Sequence, residues 1–148
     1  MIAVVFVATS CVTTSNLDLN HLNFRKVGRI PVVEGKINGK KAFFIIDTGA
    51  SCSILNASAS EYFGFTLMHS SDQIASFTGM VKINLVKNCT VELGLLTVRN
   101  VRFRTQIMNE LTGFIKQHER IEIAGILGGD FFSRYNIGID FRRNKITY

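Results

Sequence analysis

Apolar and polar positions alternate with a period of two along most of this chain, so strands dominate the expected structure. Ile30–Ile37 predicts a strand, with Pro31 near its start or on an edge. Asn38-Gly39 then supplies a strong short-range hairpin signal. Residues 40–46 form the return strand. It ends in the unbroken apolar run Phe43-Phe44-Ile45-Ile46, followed by Asp47-Thr48-Gly49-Ala50-Ser51. That run reads as a buried strand that delivers one carboxylate to a tight loop of small residues.

Residues 56–63 predict a short helix. Ser58 and Glu61 have capping-box spacing, and Gly64 fits the stop. Residues 65–73 read as loop or extended edge. Val81, Ile83 and Leu85 mark a strand, Lys87-Asn88 reads as a turn, and Val91 and Leu93 carry strand character to Gly94. Over residues 96–108, Val101, Phe103, Thr105 and Ile107 alternate with Arg102, Arg104 and Gln106. Residues 108–122 read as an inserted excursion. Leu111, Phe114, Ile115 and His118 suit a small amphipathic helix there, which Gly113 weakens. Ile123 to Gly129 is apolar and glycine-rich, and Asp130 is placed to cap a short helix over residues 131–135. A hairpin closes the chain: residues 137–141, a turn at 142–144, and 145–148. The expected fold class is all-β, a closed or folded-over β unit with short helices.

The 148 residues are enough for one domain, and 47% apolar composition supports a core without metal or disulfide staples. The three cysteines, Cys11, Cys52 and Cys89, form no CxxC pair and suggest no disulfide framework. The three histidines are far apart, and no zinc-site spacing is present, so neither metal nor cofactor is expected. The net charge of +6 comes from scattered basic residues. The densest group, Arg99, Arg102 and Arg104, fits the solvated face of a half-buried strand, and no nucleic-acid partner is expected.

Residues 1–26 read as a leader and linker ahead of a domain over 27–148. Residues 1–8 are apolar, and Thr9-Ser10 precede Cys11. Two readings stand side by side. One is a secretory or lipoprotein segment, with Cys11 lipidated and the N-terminus attached to a membrane. The other is a first strand or plain leader, since no basic residue precedes the short apolar run. Localisation follows from that choice: cell envelope or export in the first case, cytoplasm in the second.

The candidate chemistry centres on Asp47. Water is a poor nucleophile toward an amide. Two carboxylates sharing one proton overcome this. The ionised one takes a proton from water while the protonated one supplies a proton to the carbonyl oxygen. Gly49 suits such a loop by allowing close backbone approach or positive φ. Thr48 suits it through a hydroxyl hydrogen bond. About eighty residues later, Ile126-Leu127-Gly128 leads into the short helix that begins Asp130-Phe131-Phe132.

Together these motifs resemble those of the retropepsin-like aspartic proteases, the single-domain relatives of retroviral protease and pepsin. The likeness runs from about Arg29 to the C-terminus. It implies that Asp47 is the catalytic aspartate. It implies that Thr48 grips the partner loop across a dimer, with Gly49, Ala50 and Ser51 completing the loop. It also implies that Ile126, Leu127 and Gly128 cross behind that loop, and that Phe77, Thr78 and Gly79 form a flap over a peptide or protein substrate. Only one Asp-Thr-Gly occurs in the chain. The resemblance therefore implies a homodimeric aspartic endopeptidase, with Asp47 of each subunit meeting at a twofold axis. The alternative is a catalytically inactive module of the same fold that binds a peptide or protein in its cleft. Cys52 reads as a packing residue beside the loop.

Overall fold

The computed structural model describes residues 20–76 and 79–148. In chain order the elements are β1 (His21–Asn23), β2 (Arg25–Val27), β3 (Ile30–Ile37), β4 (Lys40–Asp47) and β5 (Ile54–Asn56). A 3-10 turn (Ala57–Ala59) leads into α1 (Ser60–Phe63), β6 (Met68–Ser76), β7 (Gly79–Leu93) and β8 (Leu96–Gln106). Then come α2 (Asn109–Glu119), β9 (Ile123–Gly128), α3 (Gly129–Arg134), β10 (Gly138–Asp140) and β11 (Lys145–Thr147).

Eight strands form one sheet in the order β2-β3-β4-β9-β5-β8-β7-β6. An additional pairing of β3 with β7, through Lys36↔Glu92 and Ile37↔Val91, folds this sheet back on itself. Gly35 lies at that closure: a Cβ there would stand 2.4 Å from the Glu92 carbonyl oxygen. A second, three-stranded sheet has the order β1-β11-β10. The fold is thus β-dominated, but it is not the purely all-β closed unit expected. α2 alone contributes eleven residues, and a separate small sheet stands beside the large one.

The apolar run before Asp47 is explained by burial on both sides of β4. Ala42, Phe44 and Ile46 enter the main core with Val33, Leu55, Phe103 and Leu127. Ile45 and Phe43 face a second cluster with Val27, Val32, Ile115 and Ile123. A strand covered on both faces reads as continuous hydrophobic sequence rather than alternation. The cover on the second face includes α2, through its buried Ile115. Residues 108–122 therefore seal a core, although Leu111 and Phe114 remain exposed.

Several local expectations change. The stretch assigned to linker up to Lys26 supplies β1, paired with β11, and most of β2, paired with β3. Polar residues suit these strands because Asn23, Arg25 and Lys26 are exposed. Lys87-Asn88 is not a turn. β7 runs through it with a register shift between Val86 and Cys89, and Asn88 adopts φ 59°. Asn serves a bulge and a turn by the same left-handed conformation.

The Ser58/Glu61 capping box is replaced by Asn56, whose buried side chain accepts from the Ser58 amide at 3.2 Å and the Met108 amide at 3.3 Å. Asp130 does not occupy the N-cap of α3. Gly128 does, and Asp130 sits in the first turn.

Candidate active site

β9 lies between β4 and β5, parallel to the first and antiparallel to the second. The chain leaves β4 at Asp47, arches over the end of β9 and returns through Ser53 to β5. Asp47 pairs with Gly128 in the parallel ladder, and Ile54 pairs with Ile126 in the antiparallel one. The two distant motifs are thereby brought into one layer.

Glycine is required beneath this arch. A Cβ on Gly128 would lie 2.8 Å from the Ala50 carbonyl oxygen and 2.9 Å from that of Cys52. One on Gly125 would stand 2.2 Å from the Ile54 carbonyl oxygen. The Gly129 amide donates to the Ala50 carbonyl at 2.8 Å, tying the loop to the start of α3. Gly49 serves by close approach, with a Cβ position 3.3 Å from Asp47 Oδ1; it is not among the positive-φ glycines.

The Asp47 side chain is exposed, yet its orientation is set from within the loop. Its Oδ1 accepts from the Gly49 amide at 3.0 Å and the Ala50 amide at 3.2 Å. Oδ1 is thus engaged by backbone donors at the end of the strand. Thr48 and Ser51 are exposed too, Ala50 is half-buried, and Cys52 is buried beside the arch, as expected of a packing residue. Ile126 is half-buried, while Leu127 and Gly128 are buried behind the loop.

The decisive support within the loop is a residue that sequence reasoning passed over. Buried Ser53 accepts from the Gly128 amide at 2.9 Å and donates to Asp130 Oδ1 at 2.7 Å. The same Asp130 oxygen accepts from the Phe131 amide at 2.8 Å. Ser53 therefore satisfies a buried backbone donor and fixes the loop to the first turn of α3. Its sequence signal was faint: one hydroxyl inside an apolar return to a strand. Among the described residues, Thr48 makes no side-chain hydrogen bond of this kind. Its exposed side chain lies against a shallow cavity lined by Ile137, Gly138 and Ile139.

A family model described as aspartyl protease matches residues 33–131, more than half of the chain. The chain belongs to the aspartyl protease family. The chain has a retropepsin-like fold, and the solved structures that resemble it include the following three. A retropepsin-like aspartic protease from Rickettsia conorii aligns with a TM-score of 0.60 and 18% identity, covering 85% of this chain and 87% of that one. EIAV protease, complexed with the inhibitor HBY-793, aligns at 0.57 and 15%, covering 79% and 98%. The retroviral protease-like domain of Ddi1 from Leishmania major aligns at 0.56 and 20%, covering 78% and 85%. Comparison with curated proteins returns no match.

Of the residues expected to form a flap, Phe77 and Thr78 lie outside the described residues, as does Cys11. Gly79 is exposed, adopts φ 117° and pairs with Ser76 where β7 begins. β6 and β7 thus make an antiparallel arm whose last described pair is Ser76 with Gly79. Among the described residues, no helix is long and apolar enough to cross a membrane, and no cluster of His, Cys, Asp or Glu is grouped for a metal.

Proposed function

We propose that this aspartyl protease is an endopeptidase whose active form is a homodimer. Two Asp47 carboxylates, one from each subunit, hold a single water between them. The carrying observation is the exposed Asp47 carboxylate, fixed by two loop amides at the end of a strand covered on both faces. A group so oriented loses little freedom on meeting its mate.

In this mechanism, one Asp47 is ionised and the other protonated, because like charges so close do not both ionise. The ionised carboxylate removes a proton from water as its oxygen attacks the peptide carbonyl carbon. The protonated carboxylate gives its proton to the carbonyl oxygen. Collapse of the tetrahedral intermediate breaks the C–N bond. The amine leaves with a proton from one carboxyl, and the other regains one from the intermediate's hydroxyl.

The twofold arrangement is supported by the placement of exposed Thr48 beside β10. Among the described residues, β10 pairs only with β11, so its other edge is free. A free edge next to the loop is a natural seam for a second copy.

The test is cleavage of a peptide library by wild type and Asp47→Asn, at acidic and neutral pH, with solution mass recorded in each buffer. Loss of cleavage in a variant that keeps the wild-type mass supports the reading. Cleavage retained by Asp47→Asn overturns it. A wild-type dimer that binds peptides without cutting them favours the inactive binding module.

A further inference from the structure

Arg102 and Arg104 occupy alternate positions of β8 and so share one face of the strand. Arg134 stands in the last turn of α3. All three line one cavity of about 280 Å³ on the side of the molecule where β8 and α3 meet. Ser53 and Asp130 form part of its wall, and Phe103 and Tyr135 supply apolar surface.

Among the described residues, none of the three guanidinium groups takes part in an ion pair. The single acid in the wall, Asp130, already spends Oδ1 on Ser53 and Phe131. Arg104 carries the telling feature. Its Nε is buried and has no hydrogen-bond partner. A buried donor on a permanent cation, left without an acceptor, costs stability. Arg104 also lines the cavity, beside Arg102 and Arg134. Guanidinium groups match oxyanions through paired N–H donors, which a water or a chloride does not reproduce.

We propose that this cavity is a binding site for a compact polyvalent oxyanion, phosphate or carboxylate in type. The guanidinium groups of Arg102, Arg104 and Arg134, gathered in one wall, hold it. The volume lies near the lower end of small-molecule sites, so it suits an anionic group with at most a small attached body. Asp47 is not among the residues that line the site. The site does touch the catalytic loop's support, because Ser53 and Asp130 are in its wall. An anion seated there braces the joint between the loop and α3.

The experiment is calorimetric titration of the full chain with pyrophosphate and, separately, with citrate, at constant ionic strength set by sodium chloride. Wild type is compared with Arg104→Gln, Arg134→Gln and Arg99→Gln. Arg99 is an exposed arginine on the same strand but outside the cavity. The expected result is saturable binding of one anion per chain, weakened at least tenfold in Arg104→Gln and Arg134→Gln and unchanged in Arg99→Gln. Preference for pyrophosphate over citrate assigns the ligand to the phosphate class, and the reverse assigns it to carboxylates. No saturable binding of either anion overturns the proposal. Equal weakening in all three variants also overturns it, because that is the response of a diffuse positive surface. Should Arg104→Gln fail to fold, Arg134→Gln carries the test, since Arg134 is exposed.

Discussion

Ser53 Oγ stands 2.7 Å from Asp130 Oδ1, and the two residues are 77 positions apart in the chain. The same hydroxyl accepts the Gly128 amide, so one side chain holds both halves of the loop architecture. Replacing it by alanine leaves a buried N–H without an acceptor and a carboxylate oxygen without its side-chain donor. Ser53→Ala should cost roughly 1–3 kcal/mol of folding stability. Ser53→Thr keeps the hydroxyl and should recover much of the loss, both read from urea unfolding midpoints.

Gly125 and Gly128 are held to glycine by backbone on the adjoining strand and loop, at 2.2 and 2.8 Å from the position of a Cβ. Carbonyl oxygens of a paired strand and a tied loop do not yield as a flexible side chain would. Gly125→Ala and Gly128→Ala should each cost about 3 kcal/mol or more, toward the upper end of overpacking effects. Gly113→Ala is the contrast. It sits in α2 with nothing within 4 Å of a Cβ. It should raise stability by about 0.5–1 kcal/mol. Chemical denaturation of the three variants checks both signs.

Thr48 is exposed in the single chain, and the proposed homodimer gives its hydroxyl a partner in the second copy. Thr48→Ala should leave monomer unfolding nearly unchanged. Two lost hydrogen bonds per dimer, at about 1 kcal/mol each, should weaken association by roughly thirtyfold. Sedimentation equilibrium over a concentration series measures this. An unchanged dissociation constant would remove Thr48 from the interface.

Asp140 is held below its ordinary value of 3.8 by the Arg143 amide first; desolvation opposes this, and the Arg142 amide and the Arg143 charge add to the lowering. Its Oδ1 accepts from the Arg142 and Arg143 amides at 2.9 and 3.0 Å in the closing turn. A depressed folded-state pKa means the ionised form favours the fold. This contribution is present above pH 3.8 and is lost as pH falls through the lowered value. Asp140→Asn should flatten part of the acid limb of the stability–pH curve below that pH and leave the neutral region's slope unaltered. Unfolding midpoints across an acid titration of wild type and variant decide it. The side chain is solvent-accessible, so the difference should be modest.

What could be read without the structure was chemistry carried by neighbours in sequence. The β3–β4 hairpin was legible because Asn38-Gly39 encodes it locally, and both residues do adopt positive φ. The closing hairpin was legible because Arg142-Arg143-Asn144 separates two short apolar segments. Asp47-Thr48-Gly49 and Ile126-Leu127-Gly128 stood out because each is a compact motif. Lys87-Asn88 misled because a left-handed asparagine serves a bulge as well as a turn. Residues 21–26 misled because short strands with exposed polar side chains carry little hydrophobic signal.

Short-range sequence encodes the local devices: a strand ending in one carboxylate, a loop of small residues, and an apolar-apolar-glycine element far downstream. Tertiary structure alone decided that β9 threads between β4 and β5, which makes Gly125 and Gly128 necessary and places Ser53 on Asp130. It also decided that the excursion at 108–122 seals a second core and that three arginines share one cavity. The division has a physical reason. Turn and cap preferences act over a few residues of backbone, whereas close approach and hydrogen-bond closure between residues some 75 apart exist only once the sheet has brought them together.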